Sequence, residues 1–184
     1  MTKKMTLIAA ILLLLPSLAF ATSVKYSTSG SVSSPGGSFI TYQGATNVLV
    51  PSTPALNKPF GTLKIHCTSS TCPATGSTLT VTITQILPGS GTGTASASLT
   101  GTFSNVGGSL VLNWSGPVTI SAGGFNTTYN PVTGGVVCSS GTCNVLLKVD
   151  IIQTVPEPAA ELLLGLGTLG LMGLATVSGK MISA

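Results

Sequence analysis

Charge is the scarcest property of this chain: Asp, Glu, Lys and Arg together make up 5% of its 184 residues, all seven basic residues are lysine, and arginine is absent. Between Thr22 and Thr154 four lysines (Lys25, Lys58, Lys64 and Lys148) face a single acid, Asp150, leaving a net charge of +3 spread along the chain. A phosphate backbone asks for clustered cations, so nucleic acid is excluded as a partner despite the pI near 9.0. The same segment contains no Glu, which excludes paired-carboxylate hydrolysis.

His66 is the only histidine. It falls with Thr62 and Lys64 on the polar side of a strand pattern whose other side is Leu63, Ile65 and Cys67, and reads as a surface imidazole. A Ser-His-Asp triad has its residue types in His66 and Asp150, but no Gly-x-Ser-x-Gly and no phosphate-binding loop accompanies them. No catalytic residue, metal or cofactor is expected, and the chain is read as a non-enzyme.

Gly, Ser and Thr are abundant instead, and the hydroxyl residues alternate with Val, Ile and Leu. Ala95 to Phe103 places Ala95, Ala97, Leu99 and Phe103 on one side and Ser96, Ser98, Thr100 and Thr102 on the other, the period of two of a half-buried strand. Thr78 to Leu87 follows the same rule until Gln85-Ile86, where a bulge is expected to turn the apolar side chain inward again. Seven further segments read as strands: Phe39 to Tyr42, Asn47 to Val50, Thr62 to Cys67, Leu110 to Trp114, Val118 to Ser121, Phe125 to Tyr129 and Val145 to Ile152. About nine short strands without an amphipathic helix predict an all-β domain over residues 22–154, an antiparallel β-sandwich in which jelly-roll and immunoglobulin-like orders are not distinguished.

Four cysteines stand in two similar hexapeptides, Cys67 to Cys72 and Cys138 to Cys143, both reading Cys-x-Ser-x-Thr-Cys. Disulfides are expected in an exported chain. Of the three connectivities, 67 with 72 and 138 with 143 is preferred, each shaping a tight loop, and pairing between the two loops stays open. Trp114 shares the phase of Leu110 and Leu112 and is read as half-buried core, with sugar stacking as its alternative role.

The two ends carry addresses. Lys3 and Lys4, an apolar run from Leu7 to Leu15, and small residues at Ala19 and Ala21 form a secretory signal peptide over residues 1–21, with a signal helix and cleavage after Ala21. At the other end Val155-Pro156-Glu157-Pro158 precedes a nearly uncharged stretch, about 162–179, then Lys180. Eighteen residues in a helix span about 27 Å, enough for a transmembrane segment.

Residues 155–184 resemble the PEP-CTERM family of sorting signals through the Val-Pro-Glu-Pro motif, the apolar segment and the basic end, although Lys180 stands alone where the family has a basic cluster. The resemblance implies export by a Gram-negative bacterium, processing by signal peptidase and an exosortase, transient anchoring in the inner membrane, and delivery to the cell envelope or extracellular matrix. The expected role is structural or adhesive, toward exopolysaccharide or further copies of the chain. A carbohydrate-binding module using Trp114 is the alternative, and a hydrolase the weaker one.

Overall fold

A computed structural model describes residues 22–155 apart from 36 and 38. The signal peptide with Ala19 and Ala21, the motif residues Pro156, Glu157 and Pro158, the transmembrane segment and Lys180 lie outside the described residues. Among the described residues every regular element is a strand: β1 (Val24–Ser33), β2 (Ile40–Gln43), β3 (Val48–Val50), β4 (Ala55–His66), β5 (Cys72–Pro73), β6 (Ser77–Leu87), β7 (Gly91–Ser104), β8 (Gly107–Trp114), β9 (Val118–Ala122), β10 (Phe125–Pro131), β11 (Gly134–Cys138) and β12 (Thr142–Thr154).

The strands form two antiparallel sheets. The first runs β11-β8-β7-β6-β1-β3, with β5 beside β7; the second runs β2-β4-β12-β10-β9. Their inward residues make one apolar cluster, in which Leu79, Val81, Ile83 and Leu99 of the first sheet join Leu63, Ile65, Val149 and Ile151 of the second. The all-β expectation therefore holds.

β7 shows how sequence sets the distance between sheets. Its inward positions grow from Gly91 and Gly93 through Ala95 and Ala97 to Leu99 and, past Gly101, to Phe103. A Cβ on Gly93 would stand 2.5 Å from Cγ1 of Val118, and one on Gly91 2.5 Å from Cγ2 of Ile120. The missing side chains let β9 of the second sheet close against this half of β7, while Phe103 fills the other half and meets Phe39 edge-on.

Three strands were not expected. β1 reads Val-Lys-Tyr-Ser-Thr-Ser-Gly-Ser-Val-Ser, so its inward Val24, Tyr26 and Thr28 are diluted by serine and by Gly30. A Cβ on Gly30 would lie 2.3 Å from the Thr80 carbonyl oxygen, which is why a glycine interrupts the pattern. β11 begins Gly-Gly and β5 has two residues, both too weak to read.

β4 also starts earlier than its expected Thr62. Phe60 and Gly61 are consecutive buried residues, and the register with β12 slips there, with Leu147 opposite Gly61 and Lys148 opposite Pro59. Gly61 has φ +128°, a conformation that glycine adopts without strain. The bulge resets the phase, so Phe60 and Leu63 both face inward although they are three residues apart, an odd spacing that a regular strand would send to opposite sides.

The bulge expected near Gln85-Ile86 exists against β1, where Lys25 pairs with Leu87 and Tyr26 with Gln85. It does not turn Ile86 inward. Gln85 takes the buried position at 0% exposure, and Ile86 and Leu87 remain 40% exposed.

Both preferred disulfides are formed, Cys67–Cys72 and Cys138–Cys143. They do more than shape loops. Each closes a place where the chain crosses between sheets: β4 to β5 in the first case, β11 to β12 in the second. The two crossings also touch: Cys67 N–H donates to the Gly141 carbonyl (2.7 Å), Gly141 N–H to that of Asn105 (3.0 Å), and Asn105 N–H to that of Ser69 (2.9 Å).

Candidate binding face

Threonine and serine occupy every outward position where β1, β6 and β7 lie side by side. The cross-strand rows are Ser33–Thr78–Ser98, Ser31–Thr80–Ser96, Ser29–Thr82–Thr94 and Ser27–Thr84–Thr92. Sheet geometry spaces these hydroxyls by about 4.8 Å between strands and about 6.7 Å along them. The opposite side of the same strands is Val24, Tyr26, Leu79, Val81, Ile83, Ala95, Ala97 and Leu99, all buried. The alternation fixes the rows, because a one-residue slip would bury the hydroxyls and expose the core.

Each hydroxyl both donates and accepts, and β-branched threonine holds χ1 in few states, so β6 presents a stiff column of mixed donors and acceptors. No charge falls within the four rows. Lys25 lies beyond the Ser27 row, between Leu49 and Leu87. Asn113 extends the Ser98 row onto β8.

The second sheet turns a different face outward. Lys64 pairs with Thr41 and Asn144, Thr62 with Gln43 and Leu146, and His66 with Thr142. His66 Nδ1 lies 2.9 Å from Thr142 Oγ1. Asp150 is eight residues further along β12, roughly 26 Å in an extended strand, and its Oδ1 accepts the Asn57 N–H at 2.7 Å. The fold does not bring the two triad candidates together.

Trp114 ends β8 in phase with buried Leu110 and Leu112. Its ring meets Phe60 edge-on with centroids 5.6 Å apart, and its buried Nε1 has no hydrogen-bond partner. The half-core position read from the sequence is where the structure places it, and no aromatic stands on the hydroxyl face.

The tyrosines face inward as well. Tyr26 and Tyr129 are fully buried and meet edge-on, centroids 5.4 Å apart. Tyr26 donates to the Pro59 carbonyl (2.6 Å) and Tyr129 to Gln85 Oε1 (3.0 Å), while Gln85 Nε2 donates to the Gly89 carbonyl (3.2 Å). Burial, and then a neighbouring tyrosine in each case, pushes both phenols far above the ordinary tyrosine range. Tyr42 is raised by burial too, partly offset by its hydrogen bond with Thr28.

A groove of about 290 Å³ opens between β11 and β12, lined by Leu112, Val136, Val145 and Leu147 among others. Among the described residues no three His, Cys, Asp or Glu side chains gather as a metal site. Sequence reading found the β6 and β7 columns of the hydroxyl face but missed the β1 serines. The available signal was Val24, Tyr26 and Thr28 alternating with Lys25 and Ser27. Comparison with known proteins finds no matching family model, no similar curated protein and no similar solved structure.

Proposed function

We propose that this chain is an exported protein of the Gram-negative cell envelope or extracellular matrix, delivered by its PEP-CTERM-like tail, with a structural or adhesive role and no catalytic one. Its domain is read as a β-sandwich that presents the hydroxyl face of β1, β6 and β7 to neutral exopolysaccharide. The observation that carries this is the uninterrupted run of Ser and Thr over four rows and three strands. Single hydroxyl contacts made in water contribute little, but a rigid array against a long polymer meets many at once. An uncharged face suits an uncharged polymer.

Signal peptidase and an exosortase are the processing partners this reading requires. The experiment is fractionation of the host expressing the full chain or a chain ending at Thr154. The full chain is expected in the envelope or matrix and the shortened one in the medium; retention of both in one compartment overturns the sorting part. Retention on a gel of the host's neutral exopolysaccharide tests the adhesive part separately.

The carbohydrate-module reading keeps one supporting observation, the unpartnered Nε1 of half-buried Trp114. Glycan binding lost in Trp114→Ala with unchanged folding would favour it over the hydroxyl face.

A further inference from the structure

The domain has two unlike ends. At one, β12 begins, β4 and β11 finish, and both disulfides gather. At the other, about 40 Å away along the 13 residues of β12, the chain enters and leaves. Thr22 N–H and Thr22 Oγ1 both donate to Gln153 Oε1, at 3.2 and 3.1 Å, so the residue that follows the expected signal cleavage is held against the last strand, just before the sorting motif. Turn 88–90 belongs to this end also, with its Gly89 packed on Gly123 of the β9–β10 turn.

This entry end carries exposed large aliphatics. Leu49 and Leu87 flank Lys25 across three strands, with Leu49 60% and Leu87 40% exposed. Ile86 stands beside them, and Leu56 (65% exposed) leaves the start of β4 close to Lys58. The nearby acid, Asp150, is engaged by the Asn57 N–H. Cleavage after Ala21 would add the α-ammonium of Thr22 to the two lysines. Aliphatic side chains interleaved with cations match the boundary of an anionic bilayer, where apolar groups enter the acyl layer and cations meet headgroups.

We propose that this end of the domain rests on the lipid surface, with Leu49, Leu56, Ile86 and Leu87 in the headgroup layer and Lys25 and Lys58 on anionic lipid, so that the disulfide end points away from the membrane. The proposal rests on the reading of residues 155–184 as a membrane-crossing segment, because that segment begins where β12 ends. It adds a fixed orientation to what a flexible tether alone would give.

The test uses the full chain in vesicles of zwitterionic lipid with a minority of phosphatidylglycerol, carrying a quencher attached high on the acyl chain. A fluorescent amino acid is incorporated genetically at Ser90, in the turn of the entry end, or at Val106, which is 76% exposed at the opposite end and forms with Val137 (84% exposed) the strongest rival surface. Quenching several-fold greater at Ser90 than at Val106 is expected. Equal or reversed quenching in chains that float with the vesicles overturns the orientation and leaves the tail reading intact. Failure to float sinks both. A second variant, Lys25→Glu with Leu87→Ser, is expected to abolish most Ser90 quenching without preventing flotation; unchanged quenching would show that the tail alone holds this end near lipid, and would overturn the contact.

Discussion

The outward faces of the two sheets are built from the same alternation and yet differ in chemistry. Across β1, β6 and β7 the solvent side is hydroxyl at every position of four rows, whereas across β2, β4 and β12 it mixes Lys64, Lys148, His66, Thr62, Leu146 and Asn144. Solvation alone does not require such a division, because scattered lysines would keep either face in water. The difference teaches that the few charges of the chain are kept off one surface, and that surface is where a neutral partner is to be sought.

The change with the largest expected effect removes what both faces depend on. Phe60 is buried and supports Trp114 from the other sheet, so Phe60→Ala is expected to cost about 3–5 kcal/mol in denaturant unfolding and to abolish retention on neutral polysaccharide, although Phe60 lies on the sheet opposite the hydroxyl face. Unchanged retention in the destabilised variant would mean that the hydroxyl face does not depend on the core the two sheets share.

Alkali is the next lever. Tyr26 and Tyr129 have folded-state pKa values raised by burial, so their contribution to stability is complete below the ordinary tyrosine pKa of about 10 and is lost as pH rises beyond it, the unfolded chain ionising first. Tyrosinate absorbance at high pH is expected to appear together with loss of the β-sheet circular dichroism. Ionisation without unfolding would show that these phenols reach water in the folded state.

Replacing both Cys67 and Cys72 by Ser is expected to cost about 2 kcal/mol by the loop-closure argument. A larger loss would show that the sheet-to-sheet crossing, and not the small ring, is what the bond secures. Least disruptive to the fold is Thr82→Lys, in the middle of the hydroxyl rows. Stability is expected to change by no more than about 0.5 kcal/mol, since the side chain is outward. Retention on neutral polysaccharide is expected to fall about tenfold, equivalent to about 1.4 kcal/mol. Lys64→Ser on the other sheet is expected to leave retention unchanged; if it weakens binding as much as Thr82→Lys, the distinction between the faces has no functional meaning.

Much of this surface was legible beforehand. Thr80, Thr82, Ser96 and Ser98 declare their side because each is flanked by Val, Ile, Leu or Ala that has to be buried. Ser29 and Ser31 do not, since the neighbour they share is Gly30, and glycine carries no hydrophobic signal. Gln85 misled in the opposite direction: its polarity argued for the outside, but hydrogen bonds to Tyr129 and Gly89 satisfy it in the core, and those partners lie in other elements. The disulfide pairing followed from the repeated hexapeptide, whereas its position between sheets needed the strand order, which no local pattern contains.

Placing both staples at sheet crossings ties completion of the fold to cellular compartment. In a reducing cytosol neither bond persists, and the end of the domain where β4 passes to β5 and β11 to β12 lacks its covalent closure. A chain with its four cysteines reduced would thus be easier to unravel than the oxidised one. On the export proposed above, oxidation on the far side would act as a one-way latch, set only once the polypeptide had crossed.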